Sequence, residues 1–127
     1  MSRTVLIVHE DGAVLGRVAD RLTSAGYSTA TASSFETART LLTTAPPRFL
    51  ITSLRLGAYN GLHLIVRGRL DDPMMRAVLI TDTGNASLEA EVQQCGAAYL
   101  AGPVDIDRLA TVVDQLLEPG EASSSSL

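Results

Sequence analysis

The chain contains no lysine: its ten basic residues are all arginines. It also lacks tryptophan, has only 4% aromatic residues, and carries one cysteine, Cys95. A single cysteine excludes an internal disulfide and suits a reducing compartment. Cys95 reads as a small buried residue late in a helix rather than a reactive thiol. The arginines are scattered and the formal net charge is −4. With no basic stripe and few aromatics, direct nucleic-acid binding by this segment is not expected. No apolar run approaches the roughly 20 residues that span a bilayer, so no membrane role is expected. The start of the chain is too short for a signal peptide before the first strand, and the expected location is cytoplasmic.

What is present fits one compact domain. Apolar residues make up 46% of 127 and charged residues 19%, a globular balance with enough chain to bury a core. Val5-Leu-Ile-Val8 is a continuous apolar run, as expected for a strand buried on both faces. Val14, Leu15, Val18 and Leu22 follow at helical spacing, and Gly26 supplies a stop. Tyr27–Ala32 predicts a more polar edge strand, and Ser33 with Glu36 a capping box for a helix ending before Pro46-Pro47. Phe49–Ser53 predicts a third strand. Leu62, Leu64, Ile65 and Leu70 mark a helix closed by Asp72-Pro73. Ala77–Thr81 predicts strand four, and a loop follows over Asp82–Asn85. Leu88, Val92 and Cys95 mark a helix stopped by Gly96, and Ala98–Ala101 a short fifth strand. Asp105 caps a last helix carrying Ile106, Leu109, Val112, Val113, Leu116 and Leu117. The expected domain spans 1–118, and 119–127 has the composition of a disordered Ser-rich tail or linker.

Five strands alternating with helices predict an α/β fold, (βα)5, with a doubly wound parallel five-stranded sheet. The expected strand order is 2-1-3-4-5, the flavodoxin-like arrangement, with its switch point between strands one and three. His9-Glu10-Asp11 and Ser53 then converge on one cleft at the carboxyl ends of the strands, joined by Thr81.

Across residues 4–117 the pattern resembles the CheY-like receiver domain of two-component response regulators. The motifs that carry the resemblance are Val-Leu-Ile-Val-His9-Glu10-Asp11, Leu-Ile-Thr-Ser53-Leu-Arg-Leu, Val-Leu-Ile-Thr81 and Gly96-Ala-Ala-Tyr99-Leu-Ala-Gly102-Pro103. In that family an aspartate ending strand three takes a phosphoryl group from a histidine kinase. Two acidic residues after strand one, with that aspartate, hold Mg²⁺. A Thr or Ser ending strand four and a Lys after strand five bind the phosphoryl oxygens, and an aromatic residue on strand five moves inward. The peptide bond before the following proline is typically cis. Here Glu10, Thr81, Tyr99 and Pro103 match, whereas Ser53 takes the acceptor position, Gly102 the lysine position and His9 one acidic position. The expected site is therefore a degenerate phosphorylation site formed by His9, Glu10, Ser53, Thr81 and Gly102.

These replacements alter the chemistry. Mg²⁺ prefers hard anionic oxygens, so an imidazole and a hydroxyl in place of two carboxylates predict weak or absent Mg²⁺ binding and no other cofactor. A serine hydroxyl without an adjacent base is a weak nucleophile, and the missing lysine removes a cation from the transferring phosphoryl. Asp82, where the family usually has a small residue, repels phosphate.

A Ser53–His9 dyad is conceivable, but the segment around Ser53 is not a Gly-x-Ser-x-Gly elbow and no catalysis is expected. His9 with Glu10 and Asp82 falls short of a transition-metal ligand set, since His63 sits elsewhere on a helix. The acidic loop after strand one does not suit a flavin phosphate. Arg55 either supplies positive charge near the cleft or is solvated.

The expected function is a pseudo-receiver that signals by protein contact without aspartyl phosphorylation. The resemblance implies protein partners: its own or another output domain, a second receiver, or a kinase. It also implies homodimer formation through the face of helix four, strand five and helix five. That face would include Leu88, Glu89, Tyr99, Ala101, Val104 and Arg108, with Tyr99 and Pro103 in the switch region. The alternative is a sensor that binds a metabolite in the vacated cleft bounded by His9, Ser53, Thr81 and Gly102.

Overall fold

The computed structural model describes residues 4–125, with side chains as far as Leu117. Among the described residues seven strands and five helices follow one another in the order β1 (Thr4–Val8), α1 (Gly12–Ser24), β2 (Ser28–Ala32), α2 (Phe35–Thr44), β3 (Phe49–Ser53), β4 (Arg55–Leu56), β5 (Tyr59–Asn60), α3 (Gly61–Asp71), β6 (Arg76–Thr81), α4 (Ala86–Gln94), β7 (Ala98–Ala101) and α5 (Ile106–Ser125). Five of the strands form a parallel sheet in the order β2-β1-β3-β6-β7. This is the expected topology once the two-residue strands β4 and β5 are set aside as a separate antiparallel hairpin. The hairpin escaped the sequence reading because two residues are too few to show a period.

Alternation along the buried strands divides the core into two layers. Val5, Ile7, Phe49, Ile51, Val78 and Ile80 face α1 and α5, where they meet Val14, Val18, Leu22, Leu109 and Val113. Leu6, Val8, Leu50, Ala77 and Leu79 face α2, α3 and α4, meeting Leu42, Leu64, Ile65 and Val92. Every residue of β3 is buried, as befits a central strand covered on both faces.

The helix starts follow local chemistry. Asp11 caps α1 by accepting from the backbone N–H of Ala13 at 2.8 Å, Asn60 caps α3 through Leu62 N–H at 2.7 Å, and Asp105 accepts from Arg108 N–H at 3.1 Å. The cap of α2 is Ser34, which accepts from Thr37 N–H, one residue beyond the expected Ser33–Glu36 box. Both serines offer the same hydroxyl, and the register is set by burial of Ala38 and Leu42. Leu70 differs from expectation too: it lies on α3 but is 78% exposed, so Leu64 and Ile65 carry the packing. The strand expected from Tyr27 begins at Ser28, while Tyr27 is buried and its hydroxyl donates to Asp114 on α5.

The backbone of α5 is helical to Ser125, past the boundary expected at 118. Of the expected tail at 119–127, the side chains and residues 126–127 lie outside the described residues.

Candidate functional site

The parallel register brings the carboxyl ends of three central strands level. Val8 pairs with Thr52, Ser53 with Ile80, and Thr81 with Ala101. The residues just beyond β1 and at the ends of β3 and β6 therefore open onto one crevice, at the position where such sheets place their sites.

That crevice is a half-open cavity of about 330 Å³. His9, Glu10, Ser53 and Thr81 line it together, as expected, and Arg55, Asp82 and Thr83 join them. Gly102 does not. It borders a separate recess of about 30 Å³ with Pro103, Asp105 and Arg108, sharing Ile80 and Val104 with the larger cavity. Gly102 follows the edge strand β7, and the loop it opens, where its own φ is +99°, turns it away from the larger cavity.

Most polar groups of the crevice are engaged locally. Ser53, 8% exposed, donates its hydroxyl to the Arg55 carbonyl at 3.1 Å. It makes no bond to His9, whose Nδ1 accepts from Asp11 N–H at 3.0 Å. The Ser–His dyad is thus not formed. The Glu10 carboxylate accepts from Gly57 N–H, pinning the turn of the β4–β5 hairpin over the β1 loop. Phe35 and Tyr59 brace the same hairpin by stacking at 4.5 Å between ring centroids and 16° between planes. Thr81 Oγ1 donates to the Thr83 carbonyl and accepts from Thr83 N–H, both at 3.3 Å. Among the described residues no cluster of three or more His, Cys, Asp or Glu is placed to hold a metal ion.

Gly102 has φ +99°, a conformation that side chains rarely adopt, so a lysine at this position would be strained as the backbone stands. The Gly102–Pro103 peptide is trans; no cis bond occurs among the described residues.

Tyr99 is half-buried against the core layer under α4, and its hydroxyl accepts from Asn85 N–H at 3.1 Å. This seat depends on Gly84: a Cβ there would lie 1.8 Å from the Tyr99 hydroxyl oxygen. The role of Gly84 was not apparent in the sequence, where the segment Asp82-Thr-Gly-Asn85 reads only as a loop. On the expected contact face, Leu88, Tyr99 and Val104 are partly packed inward, while Glu89, Ala101, Pro103 and Arg108 are exposed.

Comparison with known proteins agrees with this architecture. Residues 5–114 match the family described as response regulator receiver domain. The acid tolerance regulatory protein ActR of Sinorhizobium medicae is 34% identical over 122 residues, covering 94% of this chain and 61% of the relative. The alginate biosynthesis transcriptional regulatory protein AlgB of Pseudomonas putida is 34% identical over 121 residues, covering 94% of this chain but 27% of the relative. The chain thus spans about three-fifths of one regulator and about a quarter of the other. Among solved structures, a CheY-like response regulator receiver domain protein from Methanospirillum hungatei superposes with a TM-score of 0.84 at 21% identity, covering 96% of this chain and 99% of that one.

Proposed function

The chain belongs to the response regulator receiver domain family, and from that membership we propose that it is a pseudo-receiver, signalling by protein contact without aspartyl phosphorylation. The observation that carries this reading is the state of the strand-three terminus. Ser53 stands where the family's acceptor aspartate is expected, and its hydroxyl is committed to the Arg55 carbonyl. His9 Nδ1 accepts from Asp11 N–H and no base is hydrogen-bonded to the Ser53 hydroxyl, so nothing activates it as a nucleophile. The lysine is replaced by a glycine whose backbone disfavours a side chain.

The donors do not fit Mg²⁺. A Glu10 carboxylate already bonded to an amide, an imidazole and a hydroxyl turned to a carbonyl, with Asp82 the one other carboxylate of the crevice, are a poor substitute for an anionic oxygen shell. Weak or absent Mg²⁺ binding and the absence of phosphoryl transfer both belong to this reading.

Partners follow from the exposed face. Glu89, Ala101 and Arg108 offer a mixed polar surface across α4, β7 and α5, suited to an output domain, a kinase or a second receiver, including a homodimer. Among the described residues no helix is long and apolar enough to cross a membrane. A cytoplasmic site of action and the absence of direct nucleic-acid contact complete the proposal. The test is incubation with acetyl phosphate and Mg²⁺ followed by intact-mass measurement. The expected result is an unchanged mass; a stoichiometric phosphoryl adduct would overturn the proposal.

A further inference from the structure

The crevice of about 330 Å³ is lined by one guanidinium, Arg55, and two carboxylates, Glu10 and Asp82, and Arg55 and Asp82 do not neutralise each other. Arg55 and Asp82 both line it, yet neither takes part in an ion pair or side-chain hydrogen bond, and Arg21–Asp107 is the only ion pair among the described residues. The neutral hydroxyls of Ser53 and Thr81 are spent on backbone groups, so recognition falls to the charges. Leu54, Ile80 and Val104 add an apolar wall. The volume sits at the lower end of the range of about 300–1,000 Å³ seen for small-molecule sites.

We propose that this cavity binds a small zwitterion, a free α-amino acid with a short aliphatic side chain. The guanidinium of Arg55 receives the carboxylate, in the planar two-point contact that arginine favours. The carboxylate of Asp82 receives the ammonium, and the apolar wall takes the side chain. A simple anion is disfavoured because Glu10 and Asp82 place two carboxylates against one guanidinium. The proposal rests on the silenced-site reading, since a working phosphorylation site would claim the same space.

The test is an amide NMR titration of the full chain with L-valine. Isobutylamine and isobutyrate serve as probes that each lack one charged group. Saturable shifts with valine at Arg55, Thr81–Thr83 and Val104 are expected, with a dissociation constant at or below about 1 mM. Each half-ligand should bind at least about tenfold more weakly, and Arg55→Gln and Asp82→Asn should each lower valine affinity by a similar factor. Both residues are exposed, so the variants keep the fold and the loss reports recognition. Absence of saturable shifts with valine, glycine and leucine up to about ten times that concentration would overturn the proposal. So would equal binding of isobutyrate or of isobutylamine alone. A chain that ignores both valine and beryllofluoride loses only the ligand proposal, whereas a beryllofluoride response removes the silenced-site reading itself.

Discussion

At the terminus of β3, a hydroxyl sits in an almost closed environment with its one proton donated to Arg55. Ser53→Asp would place a carboxylate there without restoring the lysine, and would leave the Arg55 carbonyl without its partner. We expect a stability loss of about 1–3 kcal/mol by urea denaturation and no phosphoryl adduct with acetyl phosphate. Adding Gly102→Lys should not rescue phosphorylation, because the left-handed φ costs a side chain roughly 1–2 kcal/mol. A stoichiometric adduct in the double variant would show that the loop relaxes freely. Gly84 governs a second residue-scale feature, the seat of Tyr99. Gly84→Ala should expel the ring, lose the Asn85 bond and cost about 1–3 kcal/mol. Most of that cost should vanish in a Tyr99→Ala background, which a double-mutant cycle measures. A cost that persists there would locate the strain in the Gly84 backbone instead.

Among the elements, α3 makes the clearest quantitative case. Leu64 is fully buried and Leu70 is 78% exposed, although both fit the same helical segment by sequence. Leu64→Ala should cost about 2–5 kcal/mol, whereas Leu70→Ala should stay within about 0.5 kcal/mol. Comparable losses at both positions would mean that α3 packs in another register. The α1–α5 layer offers a similar contrast. The buried Tyr27 donates to Asp114, and Tyr27→Phe should cost about 1–3 kcal/mol because the acceptor is a carboxylate. Arg21–Asp107 is an exposed pair, its side chains 42% and 89% accessible, and Arg21→Ala should change thermal stability little. The β4–β5 hairpin depends on Glu10 and the Phe35–Tyr59 stack, contacts between residues far apart in sequence that no local pattern announces.

In the molecule as a whole, strand order and helix faces were legible because β1, β3 and β6 are continuous apolar runs and the helices repeat at regular spacing. The convergence of His9, Glu10, Ser53 and Thr81 followed from topology alone. Three features did not: the exclusion of Gly102 from the main cavity, the entry of Thr83 into it, and the fit of Gly84 under Tyr99. Each depends on loop conformation, which residue type does not determine. Taken whole, this receiver domain no longer responds to a phosphoryl group. The direct measurement is an amide NMR titration with Mg²⁺ followed by beryllofluoride, a mimic of aspartyl phosphate. A silenced site gives no saturable shifts at Glu10, Ser53 or Thr81. Saturable shifts at those residues that spread to Tyr99 and α4 would contradict it.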